Sequence, residues 1–221
     1  MAQVPVINVI SPVAQKCMSC PTTVLVQAYI DAARQLCAES KWLKTVIPGL
    51  TIVNTRVYSL GSDTNNEIIG VDAIDITQTA VDVHPLTERS SSEWNTTEAN
   101  AIPLYYQYVP EGQFAVHPKP NAIYALSVGV SLQPKKGANS VDETLLVNWG
   151  YALEHGALAY LLALKDMPWY DLNQALKNES LFRLERATAS HAAEASYNPA
   201  ARPSGIVGPR AAPVRTKMQA L

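Results

Sequence analysis

Two closely spaced cysteines are the first residues of this chain that could bind a metal ion or act as a redox pair. Cys17 and Cys20 form a Cys-x-x-Cys motif directly before Pro21. Such a pair is typical of zinc sites and of thiol redox centres. A zinc site needs two more ligands, and no second Cys-x-x-Cys or pair of histidines follows. A redox centre needs a thioredoxin-like βαβ context, which this pattern lacks. We therefore interpret the motif as a helix-entry segment with two small side chains.

The four histidines do not form a recognisable catalytic or metal motif. His155 follows Glu154, but no second histidine stands at the spacing of a His-Glu-x-x-His zinc site. We expect it to be a hydrogen-bonded histidine beside the apolar stripe of a helix. His84 and His117 each precede a proline, which favours extended backbone. His191 lies near the end of the last helix, where an imidazolium suits the helix dipole.

Two acidic residues in a strand-like run, Asp72 and Asp75, have no nearby residues that complete a metal set. The sequence also contains no nucleophile elbow, phosphate-binding loop, dinucleotide fingerprint or paired carboxylates in a plausible cleft. Because catalytic triads are assembled in space, this does not exclude an enzyme, but it favours a protein without catalytic, metal or cofactor sites.

The overall composition favours a folded body that works in an assembly. Hydrophobic residues make up 48% of the 221, enough for a core, whereas charged residues make up only 16%. The net charge of −2 gives no general attraction to nucleic acid. No apolar run is long enough to span a membrane, and the start has no signal-peptide pattern. An odd number of cysteines, three, argues against a disulfide framework and fits a reducing cytoplasm.

The order of predicted elements is an early helix, many strands and two late helices, which indicates an α+β protein. We expect residues 1–20 to be an extended N-terminal arm and residues 21–48 to be the helical part of the body. Its helix spans about 21–40, and apolar residues recur on one side of it at helical spacing. These residues are Leu25, Tyr29, Ala32, Ala33 and Leu36.

Residues 49–134 are predicted to form an antiparallel β domain, because Val, Ile and Thr alternate with polar residues. Gly70 is expected to mark a bulge. A short helix is expected from about Thr87 to Trp94. The strands "QFAVH" and "IYALSVGVSL" are expected to pair antiparallel, with His117 at the Pro-Lys-Pro corner between them.

Residues 139–197 are predicted to form two long helices that pack with helix 21–40. Ser140 and Glu143 are expected to form a capping box at the start. The apolar face of the first helix is expected to hold Leu145, Leu146, Trp149, Leu153, Gly156, Ala157, Tyr160, Leu161 and Leu164. The second helix is expected from about Trp169 to Ala195, with Leu172, Leu176, Phe182 and Ala189 inward.

Residues 198–221, the C-terminal arm, differ from the rest in composition. They contain four prolines, four basic residues and no acidic residue, so the remainder of the chain has a net charge of −6. No helix or strand pattern is present, so we expect the arm to be disordered alone or extended against a partner.

Four stretches, in this order, resemble the head-to-tail adaptor proteins of tailed bacteriophages, also called connector, head-completion or tail tubular A proteins. They are "SKWLKTVIP", "VDAIDITQTAVDVHPLTERSSSEW", "IPLYYQYVPEGQFAVHPKPNAIYALSVGVSLQPKKG" and "VDETLLVNWGYALEHGALAYLLALKDMPWYD". The features that carry the resemblance are the Tyr-Tyr strand, the Pro-x-Pro after a strand end, the alternating strand after it, and an alanine-rich helix followed by a short stop, Trp-Tyr-Asp and a second helix. The resemblance covers about residues 22–190.

The resemblance implies a helical bundle joined to a small β-sheet or sandwich domain. It also implies a structural virion protein: a ring, usually of twelve copies, under the portal protein. The ring would continue the DNA channel without sequence-specific binding and would offer a platform for tail proteins. Its place would be the neck of the virion, after assembly in the cytoplasm of the bacterial host. By position, the C-terminal arm would grip the portal, through Arg202, Pro203, Ile206, Val207, Pro209, Arg210, Pro213, Val214, Arg215 and Lys217.

Three alternatives remain open from the sequence. Another neck protein, such as a stopper or tail terminator, is disfavoured by the two late helices, since those proteins are mostly β. A hydrolase with a spatial triad or metal site is a second alternative. A nucleic-acid-binding module that uses the basic arm is the third.

Overall fold

The chain folds as a mixed α+β protein, as the sequence predicts at this coarse level. The structure is a computed structural model and describes residues 2–196, apart from 62, 80–81, 91, 93, 95–98 and 110–111. The helices are α1 Ser11–Lys16, α2 Thr22–Ser40, α3 Glu143–Leu162 and α4 Leu172–Ser196. The strands are β1 Gln3–Pro5, β2 Lys44–Leu50, β3 Val57–Ser59, β4 Asn66–Thr79, β5 Asp82–Pro85, β6 Thr87–Glu88, β7 Tyr105–Val109, β8 Gln113–His117, β9 Ala125–Pro134 and β10 Ser140–Asp142.

The N-terminal 20 residues do not form the extended arm that the sequence predicts. Strand β1 pairs antiparallel with β10, a 3₁₀ turn follows at Val6–Asn8, and α1 packs against α2 and α3. Val6, Val13 and Cys17 are almost completely buried. The prediction was wrong because these apolar residues are spaced to reach the core, which offsets the conformational entropy of ordering the segment.

The helical part of the body ends at Ser40 and not at residue 48. Lys41 adopts a left-handed conformation with φ 51°, and its N–H bonds to the carbonyl of Cys37, which closes the helix. Residues 44–50 are strand β2, so the β region begins earlier than the predicted boundary at 49. Thr45, Val46 and Ile47 are β-branched and favour a strand.

In the residues that the structure describes, the strands form two four-stranded sheets and one two-stranded sheet. The first large sheet has the order β2-β9-β4-β5, and all its pairs are antiparallel. Its longest pair, β4 with β9, shifts register between Ile68 and Gly70, which confirms the predicted irregularity at Gly70. The second sheet has the order β3-β8-β7-β6, and its short β6–β7 pair is parallel.

Strands β8 and β9 belong to different sheets, so their predicted antiparallel pairing was wrong. Strand β8 pairs with β3 and β7, whereas β9 pairs with β2 and β4. Pro118 and Pro120 lie in the connection and lack the N–H groups that would continue a ladder beyond β8. The chain therefore leaves one sheet and enters the other at this corner.

The predicted short helix from Thr87 to Trp94 was also wrong at its start. Thr87 and Glu88 form strand β6 beside β7, and the Thr87 N–H bonds to the carbonyl of Leu104. The adjoining backbone is held as well, because the Arg89 N–H bonds to the carbonyl of Tyr106. Pairing with a strand of the sheet thus overrides the local helical pattern.

Helix α3 begins at Glu143, and its N-cap is Asp142 rather than the predicted Ser140. Asp142 has an extended conformation, and its carboxylate accepts from the N–H and the hydroxyl of Thr144 at 2.9 and 2.5 Å. Ser140 lies in β10 opposite Pro5. The capping box fails because the β1–β10 pair extends to residue 142.

Helices α2, α3 and α4 contact one another, and Gly156 of α3 lies where all three meet. A Cβ at this position would lie 2.7 Å from the Ala32 Cβ and 2.9 Å from the Phe182 ring. Real Cβ atoms almost never approach so closely, so only glycine fits between these neighbours. The small residue therefore sets the spacing of the three helices.

Helix α4 buries a different face from the predicted one. Phe182 and Ala189 are inward as expected, but Leu172 and Leu176 are exposed. The buried positions recur at spacings of three and four residues: Ala175, Asn178, Phe182, Arg186, Ala189 and Ala193. Alanines on this face allow close approach to α3, whereas the leucines lie outside it. On α3, Tyr160 is likewise exposed and not part of the buried face.

Candidate functional site

The portal-binding residues predicted in the C-terminal arm lie outside the described residues. This applies to Arg202, Pro203, Ile206, Val207, Pro209, Arg210, Pro213, Val214, Arg215 and Lys217. The candidate sites that can be located are the Cys-x-x-Cys motif, the histidines, the two aspartates and the exposed apolar surfaces of the body.

The Cys-x-x-Cys motif follows helix α1 and precedes α2. Cys17 is buried, and the Cys20 N–H bonds to its carbonyl at 3.1 Å. Burial raises the pKa of the Cys17 thiol to about 11, and the neighbouring Cys20 contributes to the rise. Burial also raises the pKa of Cys20. Because a redox or metal-binding cysteine works as a thiolate, these thiols are poorly suited to either role near neutral pH.

We expect Cys17 to be almost inert to alkylation in the folded protein. Its pKa of about 11, against an ordinary 9.0, lowers the thiolate fraction at pH 8 by about 100-fold. Iodoacetamide labelling, followed by mass spectrometry in the presence and absence of urea, measures the effect. The half-buried Cys20 is the internal control. Rapid native labelling of Cys17 at pH 8 would contradict the structural interpretation.

His117 is part of a stacked cluster at the end of strand β8. Its ring lies 5.2 Å from the Trp94 ring at an interplanar angle of 11°, and the Arg56 guanidinium lies 5.6 Å from the same Trp94 ring. The side chain of His117 is almost completely buried, and its carbonyl accepts from the N–H of Leu104 at 2.9 Å. This arrangement packs the corner between β8 and the following prolines.

The other histidines lie apart along the chain, and each has its own partner. Nδ1 of His155 donates to Oδ1 of Asn178 at 2.8 Å, which confirms the expected hydrogen-bonded helix histidine. His84 lies 3.0 Å from Asp82 on the exposed strand β5, and His191 lies 3.9 Å from Glu194. Burial raises the pKa of Glu154, the neighbour of His155.

Asp72 is held by neighbours within the first sheet. The Ser131 hydroxyl donates to Asp72 Oδ2 at 2.6 Å, and the Lys44 ammonium lies 3.8 Å from the same oxygen. Asp75 stands opposite Ser127 on β9 and Pro85 on β5. Across the described residues, no three His, Cys, Asp or Glu side chains are grouped so that they could hold a metal ion.

An exposed apolar surface lies along the outer side of β2, on the sheet face that also carries Lys44 on β2 and Asp75 on β4. Along β2, Thr45 and Ile47 are half-buried, whereas Val46, Pro48 and Leu50 are exposed. Directly opposite on β9 are the small residues Gly129, Ser127 and Ala125, and paired residues point to the same face. We name the large exposed members of this surface the apolar sheet face: Val46 (54% exposed), Leu50 (64%), Ile52 (60%) and Ile123 (68%).

The end of the apolar sheet face is held in place by hydrogen bonds. The buried Thr51 accepts from the Tyr124 N–H at 2.7 Å and donates to the Ala122 carbonyl at 3.0 Å. The Tyr58 hydroxyl lies 3.1 Å from the Ile52 nitrogen and 2.9 Å from the Thr55 carbonyl. The exposed side chains are therefore presented on fixed backbone, which lowers the entropic cost of binding.

Replacing Tyr58 with phenylalanine should lower the free energy of unfolding by about 1–2 kcal/mol, because the loop loses its hydroxyl bonds while the ring contact with Phe114 remains. Urea unfolding measures the loss, and hydrogen exchange should rise at residues 52–55. Tyr124→Phe is the matched control, since that hydroxyl donates to Oδ1 of the exposed Asn121 at 2.6 Å and not to the backbone of the loop at residues 52–55. Equal effects of the two variants would contradict the anchoring role.

A second exposed apolar surface lies on helix α3. Thr144, Val147 and Asn148 are exposed on the first turns, Tyr151 is exposed just after the non-helical Trp149 (φ −130°, ψ 16°), and we name these four residues the outer α3 face. Val147 and Tyr151 are each 77% exposed. A third group, Leu172, Leu176 and Leu184, is exposed on α4. Exposed apolar patches of this kind mark interaction surfaces.

Sequence reasoning did not identify the apolar sheet face, although a signal was present. Residues 45–55 and 120–134 contain no charged side chain at all. A strand with one solvated face normally alternates apolar with polar residues, whereas β2 has apolar residues on both faces. Beyond Lys44 at the start of β2, these two paired strands carry no charge, and this is the feature that points to a covered surface.

Within the part of the chain that the structure describes, none of the helices is long and apolar enough to cross a membrane. A comparison with protein-family models gives no match for this chain, and a search of curated proteins gives none either.

Proposed function

We propose that this chain is a structural head-to-tail adaptor of a tailed bacteriophage. In this role, about twelve copies form a ring under the portal protein in the neck of the virion. The ring continues the DNA channel and receives the tail proteins. The protein has no catalytic task and is assembled in the cytoplasm of the bacterial host.

The observation that carries the proposal is the exposed apolar surface of the body. Large apolar side chains are exposed on β2, on α3 and on α4, at positions such as Leu50, Tyr151 and Leu184. A protein that works alone seldom exposes several such patches, whereas a ring subunit covers them with its neighbours and partners. The low content of charged residues, 16%, agrees with a protein whose surface is largely shared.

The resemblance of residues 22–190 to the adaptor proteins supports the same role. In the finer architecture that we propose, α2, α3 and α4 form the bundle, and the two four-stranded sheets form the small β domain. The mutual contacts of the three helices and the two sheet orders are consistent with this arrangement.

The C-terminal arm is proposed to dock on the portal. Its four basic residues and four prolines favour an extended segment that binds an acidic surface with little loss of entropy. Tethering to a docked body gives the arm a high effective concentration at its site. The remaining body carries −6, which suits a channel that passes DNA without binding it tightly.

Co-sedimentation of the purified chain with portal rings tests this role. The chain should sediment with portals at a ratio near one copy per portal subunit and should remain in the supernatant without them. Failure to sediment with the cognate portal, together with hydrolase activity or tight DNA binding, would support one of the other functions.

A further inference from the structure

The N-terminal part of the chain packs on the body through contacts that are distant in sequence. Strand β1 pairs with β10, so Pro5 stands opposite Ser140. Val6 and Val13 are fully buried in the common core, and α1 contacts both α2 and α3. We name residues 2–17 the N-terminal segment. Because its contacts are made by side chains and a strand edge of the body, an identical segment from another copy would fit the same site.

A tight turn at residues 17–20 joins the N-terminal segment to helix α2. The Cys20 N–H bonds to the carbonyl of Cys17 at 3.1 Å and closes the turn. Ser19, the third residue of the turn, has φ 70°, a conformation that glycine normally supplies at this place. Pro21 follows and favours extended backbone at Cys20. The connection is therefore short and strained, and connections of this kind favour the exchange of a segment between copies.

Exchange would change the turn and keep the packing. The burial of Val6 and Val13 and the pairing of β1 with β10 are the same whether the segment comes from the same copy or from a neighbour. The turn would lose the hydrogen bond of Cys20 and release the strain at Ser19. Residues 17–21, when extended, span at most about 17 Å, so the segment reaches only a copy in direct contact.

We propose that the N-terminal segment is exchanged between neighbouring copies of this chain when they assemble. In dilute protein, the chain's own segment has an effective concentration in the millimolar range, so the closed form prevails. Copies held side by side give a neighbour's segment comparable access to the site. Each copy then passes its segment to the next, and this head-to-tail order closes a ring by rotation. The inference rests on the proposed function only in taking the protein to act as an assembly of copies.

Cysteines placed across the β1–β10 pair test the exchange without portal. Pro5 and Ser140 stand directly opposite each other and outside the core, and directly opposite strand residues are close enough for a disulfide. One protein carries Pro5→Cys and a second carries Ser140→Cys, both in a Cys20→Ser background that removes the half-buried native thiol. After incubation of the mixture at millimolar concentration and oxidation, mass spectrometry should find a disulfide that joins position 5 of one copy to position 140 of the other.

Two comparisons make this result specific. A mixture of Pro5→Cys with Ser180→Cys measures random collisions, because Ser180 is exposed on α4 and is not paired with β1. Ser19→Gly should lower the exchanged fraction by about fivefold, since glycine removes the strain that exchange releases. A disulfide yield no higher than that of the Ser180 mixture, or a yield that Ser19→Gly leaves unchanged, would overturn the proposal.

The double variant Pro5→Cys/Ser140→Cys shows the order of the exchange. On a denaturing gel without reductant, head-to-tail exchange should give a ladder that extends beyond the dimer. The closed form keeps the disulfide within one chain and gives a monomer band. A monomer band alone at millimolar concentration would contradict the exchange, and a ladder that stops at the dimer would contradict the head-to-tail order.

These outcomes are separable from failure of the adaptor role. Copies that form the ladder but never bind portals would retain the exchange and contradict the proposed function. Rings on portals in which the disulfide stays within each chain would retain the function and contradict the exchange.

Discussion

Replacing Phe182 with alanine should lower the free energy of unfolding by about 3–5 kcal/mol. Phe182 is 1% exposed and its ring fills the space against Gly156, while the Arg186 guanidinium lies 4.7 Å from the ring centroid. Truncation leaves a cavity at the point where α2, α3 and α4 meet, and rigid helices cannot close it fully. Urea unfolding followed by circular dichroism measures the loss.

Leu184→Ala is the matched control for this prediction, because Leu184 lies on the same helix but is 64% exposed. Its effect should stay within about 0.5 kcal/mol. Gly156→Ala should cost about 1–3 kcal/mol, since the added Cβ meets Ala32 and Phe182. In the Phe182→Ala background this cost should fall. A loss below about 1 kcal/mol for Phe182→Ala would contradict the packing described above.

Deleting residues 198–221 should leave the body folded but weaken docking on the portal by at least about 100-fold. The composition of this segment contains no helix or strand pattern that would pack on the body, so thermal unfolding should be unchanged, whereas the proposed tether is lost. Co-sedimentation of full-length and truncated protein with portal rings measures the difference. Normal docking of the truncated protein would contradict the role of the arm.

A charge-neutral arm of the same length separates tethering from electrostatics. Alanine at Arg202, Arg210, Arg215 and Lys217 should weaken docking less than deletion does, and the difference should shrink as salt is raised. A parallel DNA-binding measurement identifies the alternative function. Steep salt dependence of DNA binding, lost with the arm, would indicate a nucleic-acid-binding module.

The helical part of the fold could be predicted from the sequence, because apolar residues there recur at helical spacing over stretches long enough for a helix. Leu25, Tyr29 and Leu36 recur at helical spacing and are buried in α2, and the long apolar pattern from Leu145 is helix α3. On α4, two sets of apolar residues recur at helical spacing, so periodicity alone could not show which of the two faces is buried. Packing against α3 selects the alanines and Phe182 and leaves Leu172 and Leu176 exposed.

The sheet pairing and the candidate surfaces depend on contacts between distant residues. Nothing local to "QFAVH" shows that its partners are β3 and β7 rather than the next strand. The last strand ends at Asp142 and not at the predicted residue 134, because β10 pairs with β1 near the start of the chain. Likewise, the apolar sheet face exists only because Leu50 stands beside Ala125 in the folded sheet.

Electron microscopy of the full-length chain mixed with its cognate portal tests the adaptor role. We expect a ring of about twelve copies on the tail side of the portal, coaxial with the DNA channel. The same protein without residues 198–221 serves as the control and should leave most portals bare. Portals that stay bare with the full-length protein, while the chain remains monomeric beside them, would contradict the adaptor function.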